Sequence, residues 1–132
     1  MKKLLITLSL FTTVQAQTIL EVHNELNKLN VQHSEIVTAQ IVLECGWKID
    51  SYNATVRNNL LGWTIKGQLA TFNHWSTCLR HYKVWQSKYY KGGCYFDFLE
   101  CINFGDGKCH RYAEDVQYVS KLKSILKNLK GC

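Results

Sequence analysis

The hydrophobic pattern of the chain predicts five helices. In four of them apolar residues recur at three- and four-residue steps, which places these residues on one face of a helix. The exception lies at about residues 34–45, where the apolar run is almost continuous and indicates a helix buried on nearly all sides. The other predicted helices cover residues 18–29, 76 to the break at Gly92, about 95–102, and 115–129.

A two-residue alternation stands between the second and third predicted helices. Leu61, Trp63 and Ile65 alternate with Gly62 and Thr64, as in a short strand, and Lys66-Gly67 then predicts a tight turn. The preceding residues 48–58 are polar and are expected to form a loop. The pattern as a whole predicts one mainly α (α+β) domain with a small β-hairpin inserted after the second helix.

The buried second helix carries one acid near its end. Ser34 is the expected N-cap, and Gly46 is the expected stop, so Glu44 should lie in the last turn. Apolar surroundings and the negative helix end both raise the pKa of a carboxyl group. A carboxylic acid kept protonated near neutral pH suits the general acid of glycosidic bond cleavage. The alternative is a helix-end glutamate turned to water.

The N-terminus has the pattern of a signal peptide. Two lysines precede an apolar stretch at residues 4–11, and Val14-x-Ala16 is a small-residue cleavage site. We expect residues 1–16 to be removed and residues 17–132 to form a single secreted or periplasmic domain. The apolar stretch is too short to span a bilayer, and no later segment is long enough, so no integral membrane segment is expected after cleavage.

Charge adds little to this interpretation. The formal net charge of the chain is +6, and its densest lysine cluster, at residues 121–130, has the spacing of a solvated helix face. A modest positive charge favours anionic partners such as cell-wall polymers, and export argues against nucleic acid.

Six cysteines in an exported chain predict disulfides, with 15 possible pairings. Cys94, Cys101 and Cys109 are near neighbours that could close one loop. The chain has neither a C-x-x-C pair nor an H-E-x-x-H motif, so no metal site and no cofactor are expected.

Four segments in order resemble the motifs of the glucosaminidase domain, glycoside hydrolase family 73. Residues 39–46 (AQIVLECG) resemble its A-Q-A-x-L-E-[ST]-G motif, and residues 58–63 (NNLLGW) resemble N-N-L-F-G. Residues 72–82 are similar to its segment with a phenylalanine, a tryptophan and a later tyrosine. Residues 111–118 (RYAEDVQY) are similar to G-Y-A-x-D-P-x-Y. The resemblance spans about residues 31–126. Departures from it include Cys45 for a small hydroxyl residue and Arg111 for glycine.

This resemblance implies a lysozyme-like fold and action on peptidoglycan glycan strands, cut at the β-1,4 bond after N-acetylglucosamine. We expect the protein to be a monomer. The resemblance also implies Glu44 as the general acid and Tyr112 as a second catalytic residue. The predicted substrate-binding residues are Gln40, Asn58, Trp63, Trp75 and Tyr82.

The second catalytic group stays open. Residues 59–72, where a hairpin carboxylate would be expected, contain no acid, and the acids elsewhere are Asp50, Asp106, Glu114 and Asp115. The 2-acetamido group of the sugar can replace a second carboxylate in glycosidase chemistry. Intramolecular attack with a 1,6-anhydro product, as in lytic transglycosylases, is a further alternative.

Two rival functions remain. A cysteine peptidase would use Cys45 with His74 or His81, but a helix C-terminus disfavours the thiolate. A non-catalytic glycan-binding protein on the same fold would need no second carboxylate, so the absence of an acid from residues 59–72 is compatible with it.

Overall fold

A computed structural model of the chain describes residues 18–127 and confirms the mainly α (α+β), lysozyme-like fold with a small hairpin. The predicted signal peptide and Leu129, the expected end of the last helix, lie outside the described residues. Within them, no helix is long and apolar enough to cross a membrane. The elements are α1 (Ile19–Lys28), α2 (Ser34–Cys45), α3 (Tyr52–Thr55), β1 (Thr64–Ile65), β2 (Gln68–Leu69), α4 (Trp75–Tyr89), α5 (Tyr95–Glu100) and α6 (Tyr118–Ile125).

Helix α2 is the centre of the fold. Nearly all of its residues are buried, and it packs against α1 and α6. The predicted cap at Ser34 is wrong, because the preceding His33 occupies the cap position with a left-handed backbone (φ 54°) and makes no side-chain cap bond. The Ser34 hydroxyl instead donates to Asn27 Oδ1 of α1 at 2.6 Å. The predicted stop is confirmed: Gly46 has a φ of 84°, although its ψ of 165° lies outside the left-handed helical region.

The segment between α2 and α4 contains the predicted polar loop and the predicted hairpin, and also a short helix that the sequence did not predict. The polar loop includes the short helix α3, whose first turn is capped by Ser51 Oγ accepting from Ala54 N at 3.2 Å. The hairpin pairs β1 with β2 in antiparallel register. Its turn lies at Lys66 and Gly67, both with positive φ, as the sequence predicted.

Helix α5 starts at Tyr95 as expected, whereas α4 and α6 start at different residues from those expected. Helix α4 begins one residue before Ser76, and His74 Nδ1 accepts the Ser76 amide hydrogen at 3.1 Å. Helix α6 begins three residues after Asp115, whose carboxylate accepts from Gln117 N at 2.9 Å and from Lys121 Nζ at 2.5 Å. Ser76 and Asp115, at which the two predicted helices begin, are therefore close to the observed helix starts but are not the capping residues.

The connection after α5 is closed by a disulfide between Cys101 and Cys109. Ile102 and His110 form an isolated antiparallel bridge just inside it, with N···O distances of 2.6 and 3.0 Å. This confirms that neighbouring cysteines clip one loop. The disulfide-closed loop, residues 101–109, lies beside the cavity described next.

Candidate active site

A cavity of about 290 Å³ lies at the C-terminal end of α2. The hairpin segment forms one wall, and the disulfide-closed loop and the segment after it form another. The lining residues are Glu44, Leu61, Gly62, Trp63, Thr64, Trp85, Ile102, Phe104, Arg111, Tyr112 and Ala113.

The Glu44 carboxyl group reaches across the helix end to the hairpin segment. A Cβ built on Gly62 would lie 3.0 Å from Glu44 Oε2, so the acid rests directly against a glycine. Glu44 as a whole is more than a third exposed, yet burial of its carboxyl against these neighbours raises its pKa above the ordinary value. The surroundings thus favour the protonated acid that a proton donor needs.

Tyr112 lines the same cavity and sits in an aromatic cluster. Its ring stacks on Tyr118 with centroids 5.6 Å apart, and it makes edge contacts with Trp85 at 5.6 Å and Trp63 at 6.3 Å. Burial raises the Tyr112 pKa well above its usual range, and the charges of Tyr118 and Glu44 raise it further. The surroundings of the phenol therefore favour its neutral form.

Gln40 and Tyr82 lie in the core and not at the cavity. Both side chains are fully buried. Gln40 Nε2 donates to Tyr118 Oη at 3.1 Å, and Gln40 Oε1 accepts from Tyr82 Oη at 2.8 Å. Neither of the two predicted binding residues therefore reaches the cavity, because their polar groups are satisfied inside the protein, and Tyr118 in turn stacks on Tyr112.

The other three predicted binding residues, Asn58, Trp63 and Trp75, do not lie at one place. Trp63 lines the cavity. The Asn58 side chain donates to the Phe72 carbonyl at 2.9 Å and does not line the cavity. Trp75 is half-buried against the core, also outside the lining. The structure thus brings Trp63 alone of these three to the acid.

Asn59 fixes the hairpin segment that carries Trp63. This residue is fully buried. Its amide nitrogen donates to the carbonyls of Trp63 and Ala70, both at 2.9 Å, and its oxygen accepts from Trp63 N at 2.9 Å. These contacts give Asn59 a structural role, since they hold the two ends of the hairpin together.

Glu44 is the one carboxylate among the cavity-lining residues of the described chain. Asp106 pairs with His110 at 2.7 Å, and this hydrogen bond lowers the Asp106 pKa. Asp115 pairs with Lys121, while Asp50 and Glu114 are exposed and not part of the lining. A lysozyme-type pair of carboxylates is therefore not formed by these side chains.

The cysteine-peptidase hypothesis is not supported by the thiols. Cys45 and Cys78 are free and buried, and Cys45 Sγ donates to the Leu60 carbonyl at 3.2 Å. Burial raises the pKa of Cys45 to about 11 and that of Cys78 to about 12. A catalytic thiol needs the opposite shift.

Two other features of the described residues bear on the choice of site. No group of three potential metal-ligating side chains occurs among residues 18–127. A second groove, of about 360 Å³, lies between α1, α2 and the end of α6. Its exposed surface is almost wholly apolar, and it lies away from Glu44. The Glu44 cavity is therefore the candidate active site.

Sequence reasoning missed Trp85, Phe104 and Arg111 as site residues and Gly62 as a contact of the acid. Trp85 could have been predicted, because it follows Tyr82 by three residues and so lies on the same face of the predicted helix. Phe104 and Arg111 reach the cavity through the fold of the disulfide-closed loop, and no local pattern predicts that.

Comparison with known protein families places this site in context. The model of the glucosaminidase family, described as mannosyl-glycoprotein endo-beta-N-acetylglucosaminidase, matches residues 20–131. No curated protein and no solved structure matches the chain. The family match covers nearly all of the helices and the whole cavity, and it indicates a glycosidase of the peptidoglycan-hydrolase type. The chain therefore belongs to the glucosaminidase family.

Proposed function

We propose that this protein hydrolyses the β-1,4 bond after N-acetylglucosamine in peptidoglycan glycan strands, with Glu44 as the general acid. The observation that carries this proposal is the position of Glu44, whose pKa is raised, in one cavity with the neutral phenol of Tyr112. The family match supports the type of reaction.

In the first step the Glu44 carboxyl group donates its proton to the leaving glycosidic oxygen as the bond to the anomeric carbon breaks. Positive charge then develops at that carbon. Since Glu44 is the one carboxylate in the described lining, the carbonyl oxygen of the 2-acetamido group is the internal nucleophile that best fits this cavity. Tyr112 orients the acetamido group through its hydroxyl.

In the second step water attacks the anomeric carbon and restores the acetamido group. The Glu44 carboxylate, now deprotonated, accepts a proton from this water, so the acid is regenerated. Trp63 and Trp85 provide the aromatic surface on which sugar rings pack at this cavity.

We further propose that the protein acts outside the cytoplasmic membrane, as a monomer, after removal of residues 1–16. The Cys101–Cys109 disulfide supports this location, since structural disulfides persist in oxidising compartments.

The single-carboxylate cavity also favours one second candidate. If no water is activated, the sugar's own 6-hydroxyl can attack the anomeric carbon, and the product is then a 1,6-anhydro sugar, as in lytic transglycosylases. A non-catalytic glycan-binding protein would need no second group at all.

The test is digestion of purified peptidoglycan, with mass spectrometry of the borohydride-reduced fragments. We expect reduced N-acetylglucosamine ends with the native protein and none with Glu44→Gln. Glu114→Gln, an exposed glutamate outside the cavity lining, is the matched control and should cut normally. Anhydro-muramyl ends would move the protein to the transglycosylases. Absence of any cleavage over a range of pH would leave the glycan-binding function.

A further inference from the structure

Arg111 is the one cation among the described residues that line the Glu44 cavity. It is exposed, and within residues 18–127 it makes no hydrogen bond, ion pair or cation–π contact. It also borders a small neighbouring cavity with Glu100 and Asp115, but neither carboxylate pairs with it. An unpaired guanidinium at the rim of a catalytic cavity is available to a ligand.

The backbone that carries Arg111 is held on both sides. The preceding His110 exchanges two hydrogen bonds with Ile102, and the following Tyr112 donates its amide hydrogen to the Leu99 carbonyl at 2.8 Å. The Cys101–Cys109 disulfide closes the loop just before it. Because the main chain is already ordered, a ligand has to immobilise the side chain alone, which lowers the entropic cost of binding.

The local charge balance favours an anion. Asp115 forms an ion pair with Lys121, and Asp106 is hydrogen-bonded to His110, so neither carboxylate pairs with Arg111. Glu44, the other charged residue of the lining, is carboxylic acid at the start of the reaction. Arg111 therefore gives the cavity a net positive charge while the substrate binds.

Phe104 supplies an apolar surface in the same cavity. It comes from the disulfide-closed loop, and 43% of its surface is exposed. Tyr89 and His110 support its ring, each with a centroid distance of 4.9 Å. A planar aromatic face and a guanidinium fork at one rim match a sugar ring with a carboxylate beside it.

We propose that Arg111, together with Phe104, forms a subsite for a carboxylate-bearing saccharide, so that the enzyme prefers acidic glycan strands to neutral ones. This inference rests on the proposed function and specifies its substrate class. Arg111 and the carboxylate form charge-assisted hydrogen bonds, bidentate where the geometry allows, and Phe104 packs on the ring. The carboxylate has two sources in a glycan strand: the lactyl group of a muramic acid without its peptide, or an acidic residue of an attached peptide.

Three substrates distinguish these sources: peptide-free strands with lactyl carboxylates, peptide-bearing strands, and a neutral N-acetylglucosamine oligomer. We expect Arg111→Ala to lower kcat/KM by about 10- to 100-fold on at least one acidic strand, and by less than about twofold on the neutral oligomer. The acidic strand that shows the loss identifies the carboxylate. Arg111→Lys should restore only part of the rate, because an ammonium cannot form the bidentate pair.

Two controls accompany this series. Lys108→Ala removes an exposed cation of the same loop that does not line the cavity, and its rates should equal those of the native protein. Phe104→Ala should lower kcat/KM on acidic and neutral substrates alike, since it removes ring packing. An equal loss for Arg111→Ala on all three substrates would mean a structural role and would overturn the proposal, as would an unchanged rate on both acidic strands.

Binding measurements test the Arg111 subsite independently of the proposed hydrolysis. Calorimetry with Glu44→Gln measures the affinity for the three substrates without turnover, and Glu44→Gln with Arg111→Ala measures the contribution of the guanidinium. Selective weakening for an acidic strand supports the subsite even if the native protein cuts none of the substrates. Equal affinities of the two variants for both acidic strands would refute the subsite even if hydrolysis is demonstrated.

Discussion

Glu44 and Gly62 are in such close contact that any side chain at position 62 would meet the acid. A Cβ there would lie 3.0 Å from Glu44 Oε2, and the backbone of Gly62 has a φ of 67°. The glycine that ends the N-N-L-L-G segment thus sets the space available to the carboxyl group.

The first prediction concerns this contact. Gly62→Ala should lower kcat at least tenfold, because the methyl group displaces the carboxyl and the residue must adopt positive φ at a cost of about 1–3 kcal/mol. Gly67→Ala is the matched control: its φ is 79°, and its Cβ would meet nothing within 4 Å. It carries the same kind of backbone strain without the contact to Glu44. Equal kcat losses in the two variants would show that strain, and not the contact, is responsible.

The pKa of Glu44 predicts the pH dependence of cleavage. Since burial raises this pKa, the protonated acid persists to higher pH than for an ordinary glutamate, and activity should fall as pH rises through the folded-state value. A pH profile of kcat/KM on purified strands measures this limb. A profile that already falls below pH 4.5, the ordinary glutamate value, would contradict the shift.

The same shift predicts a pH-dependent effect on stability. A group whose pKa is higher in the folded state stabilises the fold below the unfolded-state pKa, and this contribution is lost as pH rises through the folded-state pKa. Glu44→Gln cannot ionise, so its Tm should exceed that of the native protein more at pH 8 than at pH 4. Thermal melts of both proteins at the two pH values test this, and a constant Tm difference would argue against a shifted pKa.

Gln40 supports the aromatic cluster and should act through stability. Gln40→Leu leaves the hydroxyl of Tyr118 without its buried partner and should lower the free energy of unfolding by about 1–3 kcal/mol. Denaturant melts measure this loss. Tyr118→Phe removes the same hydrogen bond but keeps the ring stacked on Tyr112, so the kcat of this variant should stay near the native value. A raised KM with an unchanged melt for Gln40→Leu would instead mean direct substrate contact.

The buried thiols predict slow alkylation. With pKa values raised to about 11 and about 12, Cys45 and Cys78 should not react with iodoacetamide at pH 8 in the native protein, and both should react after unfolding. Peptide mapping by mass spectrometry locates the labels. Rapid native labelling of Cys45 would revive the peptidase hypothesis.

The disulfide-closed loop predicts a link between redox state and the cavity wall. Replacing Cys101 and Cys109 by alanine should lower the free energy of unfolding by about 2–3 kcal/mol, the loop-closure value for a separation of 8 residues. It should also raise KM, because Phe104 and Arg111 are positioned by this loop. An unchanged KM would mean that the Ile102–His110 bridge suffices to hold the wall.

Patterns that depend on local physics could be predicted closely from the sequence. Helix α2 ends at the expected glycine with Glu44 in its last turn, and the hairpin turn lies at Lys66-Gly67. Both follow from a long apolar run and from the conformational freedom of glycine. The helix starts were less accurate. A hydroxyl such as that of Ser34 has a competing tertiary partner, here Asn27, which the local sequence does not reveal.

Only some of the cavity-lining residues could be predicted from the sequence, because tertiary contacts decide which side chains line the cavity. Gln40 lies one turn before Glu44 in sequence, yet it faces Tyr118 and Tyr82 in the core. Position on one helix therefore did not separate a cavity residue from a core residue. In the same way, Arg111 departs from the family motif, and its position at the cavity rim depends on the fold of the loop, which the local sequence does not reveal.

The hairpin has two residue pairs, so its own ladder contributes little, and its placement depends on the amide of Asn59. All four paired residues, by contrast, are exposed. Of these four, Ile65, Gln68 and Leu69 do not line the cavity, so substitutions at these three positions should leave the acid and its wall in place. The outer face of the hairpin can thus change its chemistry while the Glu44 cavity keeps its shape.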